Sequence, residues 1–424
     1  MADDGNKTLT PKLRFPEFRD EPGWRVAPLD ALATFSSGGT PSKDNPDYWN
    51  GDIPWISASS MYDTDLRDSE HKVTRKAIGN GTRIARAGSL LILTRGSMLY
   101  NRVPMGIASV DVAFNQDVRA LTLDPSLHGH FLLKQLMARE AEITVNETGI
   151  GAGKIDTDHL RKFPVAVPEP AEQQKIADCL TSLDELIAAQ GRKVEALRVH
   201  KKGLMQQLFP RQGETLPRLR FPEFRDAGEW ASKPFEEFVV RSFYGTSSST
   251  SVKGRYPVLR MGNMVDGRLD FSNLVYLDLD EESFEGIRLT RGDILLNRTN
   301  SLDLVGKISM FDHDIECITA SYIVTYRLDT ARIDPTFCNS MLNTPQYQAK
   351  IKALARPSVS QANINPTTFK KELIVSVPLP AEQQRIADCL STLDARLTAE
   401  SRKLDALKLH KRGLMQQLFP SPEE

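Results

Sequence analysis

The sequence predicts an α+β protein: two sheet-containing domains joined by two long antiparallel coiled-coil helices, with internal pseudo-two-fold symmetry. Three observations carry this. The stretch Val167–Pro210 returns as Val377–Pro420 with roughly two-thirds of its positions identical. The octapeptide LRFPEFRD at Leu13–Asp20 recurs at Leu219–Asp226. The two middles enclosed by these repeats share almost no sequence, yet both read as short β-like runs broken by Gly, Pro, Asn and Asp. A period of about 200 residues is far too long for a solenoid, so the chain is a tandem duplication. The division that follows is 1–166, a first domain with its N-terminal tail; 167–212, a first helix; 213–376, a second domain; and 377–424, a second helix with a C-terminal tail.

The first middle contains the runs DIPWIS, GSLLILT and VRALTL, with a helical candidate at Phe131–Ala141. The second contains YPVLRMG, GDILLNRT, VGKISMF and YIVTYRL, with a helical candidate over Pro335–Ala353. A common skeleton underlies them. Gly88–Ser97 aligns with Gly292–Ser301, followed by Gly106 or Gly306, and Ile53–Met61 aligns with Tyr256–Met264. The middles are therefore expected to be one fold with two surfaces.

In the first long helix, Ile176, Leu180, Leu183, Ile187, Val194, Leu197, Leu204 and Leu208 recur every three or four residues, with Gln190 and Lys201 in the same register. The second repeats the stripe at Ile386, Leu390, Leu393, Leu397, Leu404, Leu407, Leu414 and Leu418, with Glu400 and Lys411 in the polar slots. An apolar period of about 3.5 residues held over four to five heptads marks a coiled coil. Pro170 and Pro380 suit a first helical turn, Glu172 and Glu382 place negative charge there, and Pro210 and Pro420 end each helix. A rod of about 50–60 Å with one apolar stripe is unstable alone, so the two stripes are expected to pack on each other and to leave surface for a partner. In an antiparallel pair, Glu400 could approach a lysine of the other helix.

Of 424 residues, 40% are hydrophobic and 26% charged, an ordinary globular balance, and no apolar run reaches the length of a membrane span. The polar N-terminal segment lacks the features of a signal peptide, and the four cysteines form no ligand or disulfide spacing, which points to the cytoplasm. Cys179 and Cys389, equivalent in the two repeats, read as buried thiols. A net charge of −1 means that any nucleic-acid affinity is local or supplied by a partner.

No catalytic or metal-ligating constellation is found. GIGAGK at Gly149–Lys154 has Thr148 where a phosphate-binding loop needs glycine and Ile155 where it needs a hydroxyl, so it reads as a turn. What remains is recognition chemistry. Arg95, Asn101, Arg102, Arg298 and Asn300 sit in strand-to-loop segments; Arg offers a fork to guanine or phosphate and Asn can read adenine. Ser57, Ser59, Arg260 and Asn263 follow the preceding strand. Thr40, Lys154 and Asn363 lie in the polar loops SSGGTPSK, GIGAGK and SVSQANIN.

On these features the chain resembles the specificity subunit (HsdS) family of type I restriction–modification systems. The carrying residues are SGGTPSKDNPDYWNGDIPWIS at Ser37–Ser57, the GDILLNRT strand, and above all P-x-P-x-E-Q-Q-x-I-A leading into each helix that ends GLMQQLFP. The resemblance implies that each middle is a target recognition domain reading one half of a bipartite double-stranded DNA target, while the helices hold the domains apart. It implies two methyltransferase (M) subunits, carrying S-adenosylmethionine, docked on the helices, and restriction (R) subunits using ATP and Mg. The chain itself would be non-catalytic and hold no cofactor. Half-sites one helical turn apart lie about 34 Å from centre to centre, a scale the helices can match. A type II or methylation-only system, or a protein-binding assembly scaffold, are the alternatives.

Overall fold

A computed structural model describes residues 8–148, 151–302, 304–357 and 361–421. The chain divides into two units, Met1–Gly191 with Lys403–Glu424 and Arg192–Arg402. The two long helices, Pro170–Leu208 and Pro380–Leu418, are each 39 residues long and start at the expected prolines. Each is shared between the units: a unit takes the first half of its own helix and the second half of the other.

The two middles are built on one strand order. In the first unit a sheet runs Ala33–Ser37, Val118–Leu123, Leu90–Leu93, Met105–Ala108, Asp65–Leu66. The second unit repeats it with Val239–Tyr244, Ile323–Leu328, Ile294–Asn297, Ile308–Met310. The central strands are apolar throughout because both faces are covered: Leu90, Leu91, Ile92 and Leu93 are fully buried, as are Ile294, Leu295 and Leu296. Beside each lies a smaller sheet with one parallel pairing, Ile56 opposite Phe114 and Leu259 opposite Thr319. Both of these strands run into a single 3-10 turn, Ala58–Ser60 or Met261–Asn263, and then a buried methionine, Met61 or Met264. The alignment of the two middles thus holds at strand level.

Two expectations fail in detail. Gly106 and Gly306 are not equivalents. Gly106 lies within a strand opposite Leu91, where a side chain would strike the Thr64 carbonyl, whereas Gly306 turns the chain with a φ of +85° before its strand begins. The expected helix over Pro335–Ala353 is two helices, Pro335–Leu342 and Pro345–Ala353. Pro345 cannot donate to the turn before it and disfavours helix at Thr344, so the chain stops and restarts. The helix placed at Phe131–Ala141 is Gly129–Ala138.

Each unit closes around an aromatic triad drawn from distant sequence. Trp24, from the strand after the N-terminal repeat, packs on Phe131 at 5.6 Å and on Phe419, from the end of the second helix, at 6.5 Å. In the second unit Trp230 packs on Phe337 at 5.7 Å and on Phe209, from the end of the first helix, at 6.3 Å. The backbone repeats the pattern: Leu13 N donates to Gln417 O at 3.0 Å and Leu219 N to Gln207 O at 2.9 Å. The repeated LFP endings are therefore anchors, each seated in the unit that takes the second half of its helix.

Within each unit the helix halves run antiparallel and are bridged through their polar slots. Lys201 Nζ meets Asp394 Oδ1 at 2.5 Å in the second unit, and Lys411 meets Asp184 in the first. Glu400 is met by Lys193. Ile176, Leu180, Ile386 and Leu390 are buried in the cores, while Leu183, Ile187, Leu197, Leu204, Leu393, Leu397, Leu407 and Leu414 are half-buried. Cys179 and Cys389 are half-buried rather than buried, one position off the stripe.

Candidate nucleic-acid interface

The P-x-P-x-E-Q-Q motif is a joint. Arg14 of the first LRFPEF repeat grips Glu172 through two bonds of 2.8 and 2.7 Å and also donates to the carbonyls of Glu21 and Pro22. Arg220 grips Glu382 identically, at 2.8 and 2.7 Å, and Trp230 Nε1 adds a third donor at 3.3 Å. The hydrogen bond to the carboxylate, against the opposing effect of burial, raises both guanidinium pKa values further. The first glutamine fastens the helix start to the loop before the domain's helix. Gln173 accepts from His128 N and donates to Ser126 O, and Gln383 accepts from Asp334 N and donates to Arg332 O. The second glutamine bonds an aspartate one turn on, Gln174 to Asp178 and Gln384 to Asp388.

Beyond this joint, each unit carries a three-stranded antiparallel ribbon hung from the end of its central strand. In the first unit the ribbon is Val145–Thr148, Ala152–Ile155 and Arg95–Gly96, tied by Ile155 N to Thr94 O at 2.9 Å. In the second it is Ala355–Pro357, Ala362–Ile364 and Thr299–Asn300, tied by Ile364 N to Arg298 O at 2.8 Å. The ribbons are equivalent in register: Asn146, Lys154 and Arg95 form one row, Arg356, Asn363 and Thr299 the other. Parts of GIGAGK and SVSQANIN, residues 149–150 and 358–360, lie outside the described residues.

The ribbons gather five of the expected residues: Arg95 and Lys154 in one unit, and Arg298, Asn300 and Asn363 in the other. Arg298 lies over the Tyr244 ring at 5.3 Å and donates to Asn363 Oδ1 at 3.1 Å, while its Nε is buried with no partner among the described residues. Asn300 donates to Met261 Sδ. The other expected residues lie elsewhere. Thr40 bonds Gln116 at 2.8 Å, Ser57 and Ser59 bond each other at 2.9 Å, and Asn101 is exposed after the 3-10 turn Ser97–Tyr100. Arg260 is exposed and reaches Asn273 O.

One assignment is corrected. Asn263 is buried, its Oδ1 accepting from Arg260 N and its Nδ2 donating to Asp270 O at 2.8 Å; its amide is consumed in holding a turn. Arg102 is exposed and donates one Nη to Met61 O at 2.7 Å. Asn146 and Arg356 were not singled out from the sequence. No apolar period marks them: Asn146 lies in the four-residue strand VNET and Arg356 in the three-residue strand ARP.

The family model described as the type I restriction modification DNA specificity domain matches residues 21–198 and again 240–409. The chain belongs to that family. Its two matched segments cover both middles and most of both helices, so the duplication seen in the sequence is a duplication of the specificity domain. The chain is 31% identical over 167 residues to the type I restriction enzyme EcoR124I/EcoR124II specificity subunit of Escherichia coli, a match covering 38% of this chain and 41% of that protein. It is 21% identical over 415 residues to the type I restriction enzyme MjaVIII specificity subunit of Methanocaldococcus jannaschii, covering 96% of this chain and 93% of that protein. In fold it is similar to the type I restriction–modification S subunit from M. genitalium, with a TM-score of 0.57, 15% identity, and coverage of 97% of this chain and 100% of that one. A chain from a structure on complex assembly and conformational transition of the type I R-M system gives 0.57 at 14% identity, over 94% of this chain and 98% of that chain. Among the described residues there is no cluster able to hold a metal ion and no helix long and apolar enough to cross a membrane.

Proposed function

We propose that this chain is the DNA-sequence-specificity subunit of a cytoplasmic type I restriction–modification complex. Each unit reads one half of a bipartite double-stranded DNA target, and the long helices dock two methyltransferase subunits. Those subunits carry the S-adenosylmethionine and methylate adenine N6; restriction subunits supply ATP- and Mg-dependent steps; the present chain contributes recognition alone. The single observation that carries the reading is the contrast between frame and surface. Two units share one strand order and one Arg–Glu joint, yet present different side chains on equivalent ribbons.

Partner docking has its own support in the helices. Val199 and Leu409, equivalent in the repeats, are 61% and 67% exposed, and His200, His410, Gln206 and Gln416 are exposed beside them. Gly203 and Gly413 lie on the same face with nothing within 4 Å of an added Cβ, although glycine within a helix costs about 1 kcal/mol relative to alanine. Internal packing requires none of these residues, so their repetition fits a second molecule that meets both helices in the same way.

The test is an exchange of the first middle for that of an unrelated specificity chain, assembled with methyltransferase subunits and read by sequencing methylated adenines. One half of the methylated sequence should change and the other persist; an unchanged sequence overturns the reading. Four residues inserted into one helix, about one turn, should alter the length of DNA between the half-sites.

A further inference from the structure

Resting on that reading, we infer that the middle row of each ribbon makes the base-specific contacts. The row is Asn146, Lys154 and Arg95 in the first unit, and Arg356 and Asn363, with Arg298 behind them, in the second.

Strand alternation aims the rows outward. Gly153 and Ile155 are buried on either side of exposed Lys154, and Ala362 and Ile364 on either side of exposed Asn363. Residues directly opposite in an antiparallel pair share a face, so Asn146 and Arg95 flank Lys154 on the same outward face, and Arg356 and Thr299 flank Asn363. Among the described residues, Asn146, Lys154, Arg95 and Arg356 make no side-chain hydrogen bond and no ion pair. Their donors are unspent.

The first row is also unfavourable for the free protein. Lys154 and Arg95 are like charges placed directly opposite, with no carboxylate in ion-pair contact with either among the described residues and only Asp156 acting on Lys154 at longer range, an arrangement that destabilises a sheet. Cations on an edge strand can be explained as guards against aggregation. That explanation does not reach Lys154, which occupies the central strand of the ribbon. A locally unfavourable choice that no direct ion pair among the described residues offsets marks a functional surface.

The chemistry then separates the two units. B-DNA's major groove admits a β-ribbon, and Lys or Arg donors match the O6 and N7 acceptors of guanine while Asn matches adenine. The paired cations of the first unit offer donors only, which fits guanine. The second unit offers a guanidinium and an amide: Arg356 for guanine and Asn363 for adenine. Asn363 is held in place by Arg298, itself stacked on Tyr244, and its Oδ1 retains a second lone pair for the adenine amino group.

The experiment uses the full chain assembled with methyltransferase subunits and measures methylation across a library of randomised targets. Lys154→Gln should reduce discrimination at one guanine of one half-site about tenfold and leave the other half-site intact; Arg356→Gln should do the same in the other half. Arg356→Lys keeps the charge but loses the fork, and should still lose discrimination at that base. Unchanged preferences, or a uniform loss of affinity across all sequences, overturn the inference, the latter being the mark of a phosphate contact. The exchange of the first middle, run in parallel, separates the two levels. A swap that switches one half-site beside row variants that do not leaves DNA reading standing and removes the ribbons as its agent. The variants lie at exposed positions without side-chain bonds, so none should unfold below the parent chain, and Lys154→Gln, which removes one of two facing cations, should unfold at or slightly above it.

Discussion

The joint and the ribbon, each present twice, stand under opposite physical constraints. Arg14–Glu172 and Arg220–Glu382 have the same two bond lengths, because a buried guanidinium needs that carboxylate in that place. The rows Asn146–Lys154–Arg95 and Arg356–Asn363–Thr299 occupy equivalent backbone and share no side chain in register. Changing one partner of a buried ion pair strands the other charge, whereas changing a residue of an exposed, unbonded row carries no such penalty. The same molecule can therefore keep one frame while the surfaces of its two ribbons differ.

The comparison can be broken most forcefully at the joint. Glu172→Ala leaves Arg14 buried without its counter-ion and should cost about 3 kcal/mol, seen as a lowered unfolding midpoint in denaturant. Glu382→Ala should cost a similar amount, and a loss confined to one of the two would show that the joints are not equivalent. Next comes Asn263→Ala, expected to cost about 2 kcal/mol by orphaning Arg260 N and Asp270 O. Stability rather than base preference should be what changes, which checks its removal from the set of reading residues.

The aspartates of the helix pair sharpen the comparison further. Burial pushes the Asp184 carboxyl up, but the hydrogen bonds from Lys134 and Lys411 outweigh it and hold its pKa below the ordinary value. Its folded-state pKa being depressed, its contribution is present above the unfolded carboxylate pKa and is lost as pH falls through the lower folded one. Asp184→Asn should cost about 2 kcal/mol near neutral pH, since it strands the buried Lys134. Its equivalent Asp394 is met by Lys201 and by Arg268, both more exposed, so Asp394→Asn should cost about 1 kcal/mol. The gap between the two variants should shrink in acid titrations of stability.

The last effect has the opposite sign. Gly203→Ala and Gly413→Ala should each stabilise the chain alone by about 1 kcal/mol. Both should weaken assembly with methyltransferase subunits, measured by titration of the complex. A gain in stability with unaltered assembly would detach this face from docking.

Much of the frame was legible in the sequence because it is periodic or repeated. A 3.5-residue stripe locates the long helices, prolines bound them, and alignment of the middles finds the central strands. Within the candidate site, Arg95, Lys154, Arg298 and Asn363 were legible by residue type and loop position. Asn146 and Arg356 were not, because a two-to-four-residue polar strand has no periodicity to read. Asn263 was misassigned for the complementary reason: an asparagine in a polar loop looks alike whether its amide faces solvent or closes a turn.

The sequence by itself determined the duplication, the helical stripes and the capacity of two unlike middles to share a fold. These are properties of neighbours along the chain, set by side-chain period and backbone preference. Only the tertiary structure decided that Arg14 meets Glu172 across 158 positions. It also decided that each LFP ending seats beside Trp24 or Trp230, and that Lys154 stands opposite Arg95. Such pairings depend on which buried polar group finds which partner, and on strand register. A one-residue slip would send every side chain of a strand to the other face, so composition and spacing cannot specify them.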